Sequence, residues 1–530
     1  MATDQSTLKG ASPDADGRGR TTFSSYVRDV AIVALVLGAA LYLYYRHEQN
    51  RRKLQILGGE AKELMLKDSL KGYAGAEKRL LEMVALDSSQ PFALASLAEL
   101  YALRWLDLGI DADSANAHRY AALAEATDAK INERYGAGIL VRVGDRRYEE
   151  ALQYTAKIGA ASSHGVNGYG RVVRGLGRLD EARPALQASA DSEWRNPRFA
   201  CDIADLYFES GDFANAQASY AKGIAANGDH LRSLIGHARA QIARGQSLKE
   251  AGEALAGVLG RPADQLTPKI KAMALTGMSE LRGLEQKLDE GLKLADEAIA
   301  LAPGSSWAHF AKARILAVQT DAQGAAAELD KALELDRYAP ELYYTGSEAL
   351  LDAGDATRAQ AVLDAYAKAL KEDDRFHIAY GNLLMKVGKP EEALQHFDSA
   401  IRLNGFSAEA HYAKGAALFD ARQRLLADPR DAQKRAELMD GARKELELAL
   451  EAREYFPAAH SKLGDLLFEK KEWVDGCQSY AQALVQMKAL QVPQERLAEL
   501  RDQIHGRLLT EARLPGTAKD WMDETGKLIR

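Results

Sequence analysis

Cysteine, proline and aromatic residues are all scarce in this sequence. Two cysteines in 530 residues, Cys201 and Cys477, lie far apart in stretches of helical pattern, which excludes a disulfide framework and a cysteine-based zinc site. Thirteen prolines and 7% aromatics, beside 47% hydrophobic and 27% charged residues, leave Ala, Leu, Glu, Lys and Arg to dominate. That is the mix of a mostly helical chain. The net charge of −7 is small for this length and argues against a strongly basic nucleic-acid binder. The 11 histidines are scattered, with no HExxH pair and no Cys/His cluster at metal-ligand spacing. No GxSxG elbow occurs. The glycine-rich stretch Gly168–Gly177, "GYGRVVRGLG", lacks the strand-to-helix context of a nucleotide loop. No catalytic residue, cofactor, metal or small-molecule substrate is therefore expected. The length exceeds one compact core, so several domains or a repeat array must carry the chain.

Only one long apolar run is present. Val30–Tyr45 holds no charge, and its 16 residues fall short of the ~20 that span a bilayer. Tyr42, Tyr44 and Tyr45 on one side, with Phe23 and Tyr26 on the other, extend it as aromatic belts, and Arg28 can reach back to the headgroups. These residues predict a transmembrane anchor over 23–47, after a disordered tail at 1–22 and before a linker or continued helix at 48–58. A cleaved signal peptide and a buried core helix are the rivals. Gly38–Ala40 is a poor cleavage site, and the charged "RHEQNRRK" that follows suits an anchor leaving the membrane. Three arginines precede the run (Arg18, Arg20, Arg28) and four basic residues follow it (Arg46, Arg51, Arg52, Lys53), which leaves the sidedness open. A large C-terminal part crosses regardless of its charge, which tilts the balance toward the periplasm. Abundant Ala, Gly and Arg point to a bacterial inner membrane.

The rest of the chain repeats itself. "GRLDEA" at Gly177 and "GDFANA" at Gly211 are 34 residues apart, as are "GDATRA" at Gly354 and "GKPEEA" at Gly388. In 197–230, small Ala204, Ala216 and Gly223 stand where two helices must approach closely, and Tyr207, Phe213 and Tyr220 fill the gaps between them. Gly211 ends the first helix by taking the left-handed conformation at little cost. The same frame fits 163–196, 306–339, 340–373, 374–407 and 457–490, with weaker copies between and an insertion in 408–456. This pattern resembles the tetratricopeptide repeat, a helix–turn–helix unit of 34 residues. The resemblance implies an all-α fold: a right-handed α-solenoid of about ten to twelve units over 59–490, after the single transmembrane helix. Residues 491–530 are expected to form a capping helix and a tail.

The resemblance also implies a concave groove lined by positions 2, 5, 9 and 12 of each first helix. From Trp307 onward these positions, with their neighbours, give Trp307, Phe310, Arg314, Tyr344 and Glu348, then Ile378, Asn382, Met385, Tyr412 and Phe419. This aromatic run with charged edges is expected to seat a peptide or partner helix. A second, mildly basic set, His164, Asn167, Arg171, Arg174 and Arg198, reads first as an ordinary solvated face, and as its alternative a patch that meets an acidic segment. The clamp that some such proteins use for chaperone C-termini is absent: Asn382 fits it, but Ile378 replaces the lysine and Gly415 brings no basic pair. The expected function is a membrane-anchored scaffold or adaptor for protein partners, in envelope assembly or protein quality control, without a reaction of its own. The alternative is a non-catalytic regulatory or substrate-recognition subunit of a membrane-associated enzyme.

Overall fold

The computed structural model describes residues 23–158, 162–423, 425, 429–453, 455–489 and 494–529, so the expected tail at 1–22 lies outside the described residues. All regular structure among them is helical. The long helix α1 (Phe23–Met65) precedes α2 (Leu70–Leu86), α3 (Pro91–Leu106), α4 (Asp113–Ala126), α5 (Asn132–Gly144) and α6 (Tyr148–Thr155). Then come α7 (Ser163–Gly175), α8 (Leu179–Ser192), α9 (Pro197–Glu209), α10 (Phe213–Ala226), α11 (Leu231–Ala243), α12 (Leu248–Leu259), α13 (Pro268–Leu284) and α14 (Leu288–Leu301). The C-terminal part holds α15 (Ser306–Val318), α16 (Ala322–Leu335), α17 (Pro340–Asp352), α18 (Ala356–Ala369), α19 (Asp374–Lys386), α20 (Pro390–Leu403), α21 (Ala408–Gln423) and α22 (Ala432–Ala452). It closes with α23 (Pro457–Glu469), α24 (Trp473–Ala489), α25 (Gln494–Thr510) and α26 (Pro515–Ile529).

Each odd helix packs on the even one after it, and each hairpin packs on the next. Local chemistry sets these boundaries. Several of the few prolines open helices: Pro91, Pro197, Pro268, Pro340 and Pro457 stand in the first turn of α3, α9, α13, α17 and α23, where a missing N–H costs nothing, whereas Pro184 lies inside α8. Asn196, Ser305 and Asp373 cap first helices, and Asp212, Asp321 and Asp355 cap second ones. Gly177, Gly211, Gly354 and Gly388 end first helices at φ of +76°, +73°, +88° and +82°. Ala204 and Ala216 are fully buried between the helices of their hairpin, and a Cβ on Gly381 would collide with the Phe397 ring.

The array is longer than the ten to twelve expected units, because hairpins also form at both ends. The last turns of α1 pack on α2 and bury Leu57 and Ala61. At the other end α26 is docked on α24 and α25 through Trp521, so the C-terminal segment is a packed hairpin with its own apolar cluster. The insertion in 408–456 lengthens α21 to 16 residues and α22 to 21.

Helix α1 joins two environments. Its apolar half, Val30–Tyr45, touches nothing and exposes Leu35, Leu41, Tyr42 and Tyr44. Among the described residues this is the one helix long and apolar enough to cross a membrane. Its other half is the first helix of the array. At 43 residues it is about 64 Å long, with no break between the two halves.

Candidate partner-binding groove

First helices of the array carry charged residues on their inner side, and in the N-terminal part these charges meet one another. Arg171 on α7 donates Nη2 to Asp107 at 2.9 Å and to Asp202 at 2.7 Å. Arg232 on α11 faces Asp107 at 3.3 Å and Asp205 at 2.8 Å. Arg239 forks onto Glu280 at 2.7 and 2.9 Å. Burial alone would raise the Asp107 and Asp202 carboxyls, but Arg171 overrides it, with Arg232 helping, and holds both below the usual carboxylate range.

The chain also returns on itself every 160 to 165 residues, about five units. Asn227 donates to Lys67 O at 2.6 Å, and His230 meets Asp68 at 2.8 Å. Lys269 donates to Leu106 O at 2.5 Å. The Tyr338 ring lies against Gly177, and Arg375 donates to Ser210 O at 2.6 Å and to Glu341 at 2.7 Å. Successive superhelical turns therefore touch along a seam, from the loops that end first helices in one turn to the loops that start them in the next. Two gaps open along it: a cavity of about 730 Å³ between Arg146 and Gly304, and one of about 810 Å³ beside Asp68 and His230. At the far end the seam stops. Beyond Arg375 the α11–α12 loop and the α20–α21 loop stand apart around a cleft of about 830 Å³.

This geometry corrects the expected basic patch. Arg171 is 8% exposed in its side chain and neutralised by two aspartates, Arg174 is paired with Glu209, and Arg198 and Asn167 are buried. Asn167 donates to Asp202 at 3.0 Å. Only His164 is half-exposed, with its ring edge on Phe199. These residues are the polar filling of the first turn, not a surface for an acidic segment.

The expected groove is corrected in part. Phe310, Tyr344 and Phe419 are buried and support the wall. Trp307 packs its ring against Phe208, 4.9 Å between centroids, with Arg239 over it, so it faces α9 and α11. Arg314 lies near the Phe310 ring, the Tyr412 ring leans at a tilt on Phe456, and Asn382 and Met385 are half-buried. Of the ten residues, Tyr344, Glu348 and Ile378 line the cleft. Glu348 opens onto it and, among the described residues, forms no ion pair or hydrogen bond. The surrounding walls strip enough water to raise its carboxyl, and Glu341 adds to the effect. Position counting within one unit missed Arg244, Phe406, Tyr455 and Phe456, which complete the cleft from loops and from a unit five repeats away. Their one sequence signal is an aromatic residue in the loop between hairpins.

Among the described residues no group of three or more His, Cys, Asp or Glu side chains is placed to hold a metal ion. The tetratricopeptide repeat family model matches residues 201–265 and 378–437. No curated protein matches the sequence. Similar solved structures include the APC/C hetero-tetramer Cut9–Hcn1, at 13% identity over 85% of this chain and 96% of that one with a TM-score of 0.39. Yeast Tom70 is 11% identical over 88% of this chain and 99% of its own, with a TM-score of 0.40. The human IFIT1 dimer with PPP-AAAA is 13% identical over 77% and 93%, with a TM-score of 0.40.

Proposed function

We propose that this tetratricopeptide-repeat protein is a membrane-anchored scaffold that holds protein partners in the open, C-terminal part of its inner face. The observation that carries this reading is the end of the seam. Where successive turns touch, the inner face is occupied by the chain's own side chains; past Arg375 it opens into a cleft whose rim leaves Phe406 89% exposed. A large exposed ring beside a deep cleft marks interaction surface more often than idle surface. The unburied apolar half of α1 supports the anchor. The reading assigns the chain no reaction and places it in the inner membrane of a bacterium, with the array on the periplasmic side.

Two experiments test it. A photo-crosslinking residue at Ile378, in the membrane-bound protein, should trap a defined partner, whereas one at Trp307 should trap none. Equal trapping at both sites would sink the groove assignment. For the sidedness, Cys201 and Cys477 are first replaced, and a single cysteine at exposed Arg453 should then react with an impermeant thiol reagent in intact spheroplasts. Protection until lysis would place the array in the cytoplasm.

A further inference from the structure

Two steps of the seam share one chemistry. A cation at the start of a later first helix meets the carbonyl end of a first helix five units earlier, where unpaired C=O groups and the helix dipole concentrate negative potential. Lys269, second residue of α13, supplies it to Leu106 O; Arg375, second residue of α19, supplies it to Ser210 O. Moving this register on by one unit turns Ser210 into Arg244 and Arg375 into Glu409, the second residue of α21. Both line the cleft. A carboxylate thus stands where two earlier steps place a cation, and it is turned to Arg453.

Among the described residues no side chain caps the carbonyl end of α11. The cations around the cleft are already engaged: Arg375 on Glu341 and Ser210 O, Arg453 on Glu409, Arg244 on Gln217. Glu348 has no such partner. Apolar surface borders this uncompensated negative site, with Ile378 on the wall, Tyr455 56% exposed and Phe406 on the rim.

We infer that the cleft takes an extended segment of a partner protein in which an arginine or lysine stands beside an aromatic or large aliphatic residue. The cation meets Glu348 and the carbonyl end of α11, and its apolar neighbour lies against Phe406 and Tyr455. The partner thereby supplies the step that Glu409 withholds. Charge-assisted hydrogen bonds in a walled site give such a segment its orientation, and the rings give it contact area. This inference rests on the groove reading above and names the chemistry of its occupant.

The test uses the full chain in detergent micelles and labelled decapeptides read by fluorescence anisotropy. The peptides carry arginine, citrulline or glutamate between two phenylalanines, on a serine–alanine background. The arginine peptide should bind at least about tenfold tighter than the citrulline peptide, and the glutamate peptide weakest of all. Glu348→Gln should erase the arginine margin and leave the citrulline peptide unchanged. Phe406→Ala should weaken both alike, and Glu409→Arg, which restores the cation of the earlier steps, should weaken both by filling the cleft. Circular dichroism checks that each variant stays folded. Equal binding of arginine and citrulline peptides, or an arginine margin that survives Glu348→Gln, overturns the inference. If Phe406→Ala still weakens binding in that case, the groove reading stands. Binding that ignores Phe406→Ala, or no binding by any peptide, overturns both.

Discussion

Asp107 and Glu348 are both carboxylates on the inner side of one array, and they have opposite fates. Asp107 is buried between Arg171 and Arg232 and held below the usual range; Glu348 opens onto a cleft, has no partner and is pushed up. The units around them are built on the same 34-residue frame. What differs is what lies across from each. Within the first turn the inner charges meet one another, Asp107 with Arg171 64 residues on, and the second turn caps the helix ends at Leu106 and Ser210. Glu348 stands on α17 beside the cleft where the seam ends, and the loop rings past Arg375 stay open there. Whether a stretch of solenoid is core or binding surface depends here on what lies across from it, not on the stretch itself.

The largest test of this contrast is to strip the matched side. Arg171→Ala leaves Asp107 and Asp202 buried without their main cation and should cost about 3–5 kcal/mol. Urea unfolding followed by hydrogen exchange should show the loss in α3–α11 and spare α19–α24. Next, Lys269→Ala and Arg375→Ala each remove one charged hydrogen bond across the seam, worth roughly 1.5–3 kcal/mol. The double variant should raise the radius of gyration in small-angle scattering with helicity unchanged; an unaltered radius would mean that the turns are held by something other than the seam. Gly381→Leu overpacks the α19–α20 hairpin against Phe397 by about 1–3 kcal/mol or more. Its effect on exchange should stay within the C-terminal units.

The smallest effect is in pH, and it has opposite reach in the two regions. His377, His396 and His460 are held below the ordinary histidine value by burial, with His377 adding to the effect on His396 and Glu372 opposing it on His377. Below about 6.5 the unfolded chain takes up these protons first, so stability in the C-terminal units is complete above that pH and is lost as pH falls through the lowered values. Asp68, Asp107 and Asp202 are lowered carboxyls: burial raises each, and His230 for the first and Arg171 for the others outweigh it. Their contribution is present above the unfolded carboxylate value and is lost only as pH falls through the lowered ones. Burial also lowers His237 on α11, so exchange at pH 5.5 should loosen α11 and α19–α24 before α3–α9. Equal loosening would erase the electrostatic part of the contrast.

The hairpins were readable in the sequence because their determinants are local. Gly211 and Gly388 sit at positive φ where the Gly…Ala phrase predicted a helix end, and Ala204, Ala216 and Gly381 fill the close contacts their spacing implied. The seam was not readable. Three of its acceptors, Lys67 O, Leu106 O and Ser210 O, are backbone atoms that carry no residue identity, and their donors come from 160, 163 and 165 residues away. For the same reason Arg171 looked like surface charge and Trp307 like a groove residue. Nothing within a unit records that Asp107 or Phe208 stands opposite.

Helix α1 runs unbroken from its apolar half into the first hairpin, so its two halves turn together as one shaft. A helix turns by about 100° and rises about 1.5 Å with each residue. The length of the stretch between Tyr45 and Leu57 thus sets the compass bearing of the whole array around the shaft. One residue more would swing the cleft about a quarter-turn to its neighbours' side, while seven would bring it back nearly to its first heading and lift it by about 10 Å. The direction in which this protein presents its open face is therefore a matter of counting residues in a segment that touches neither the face nor its occupant.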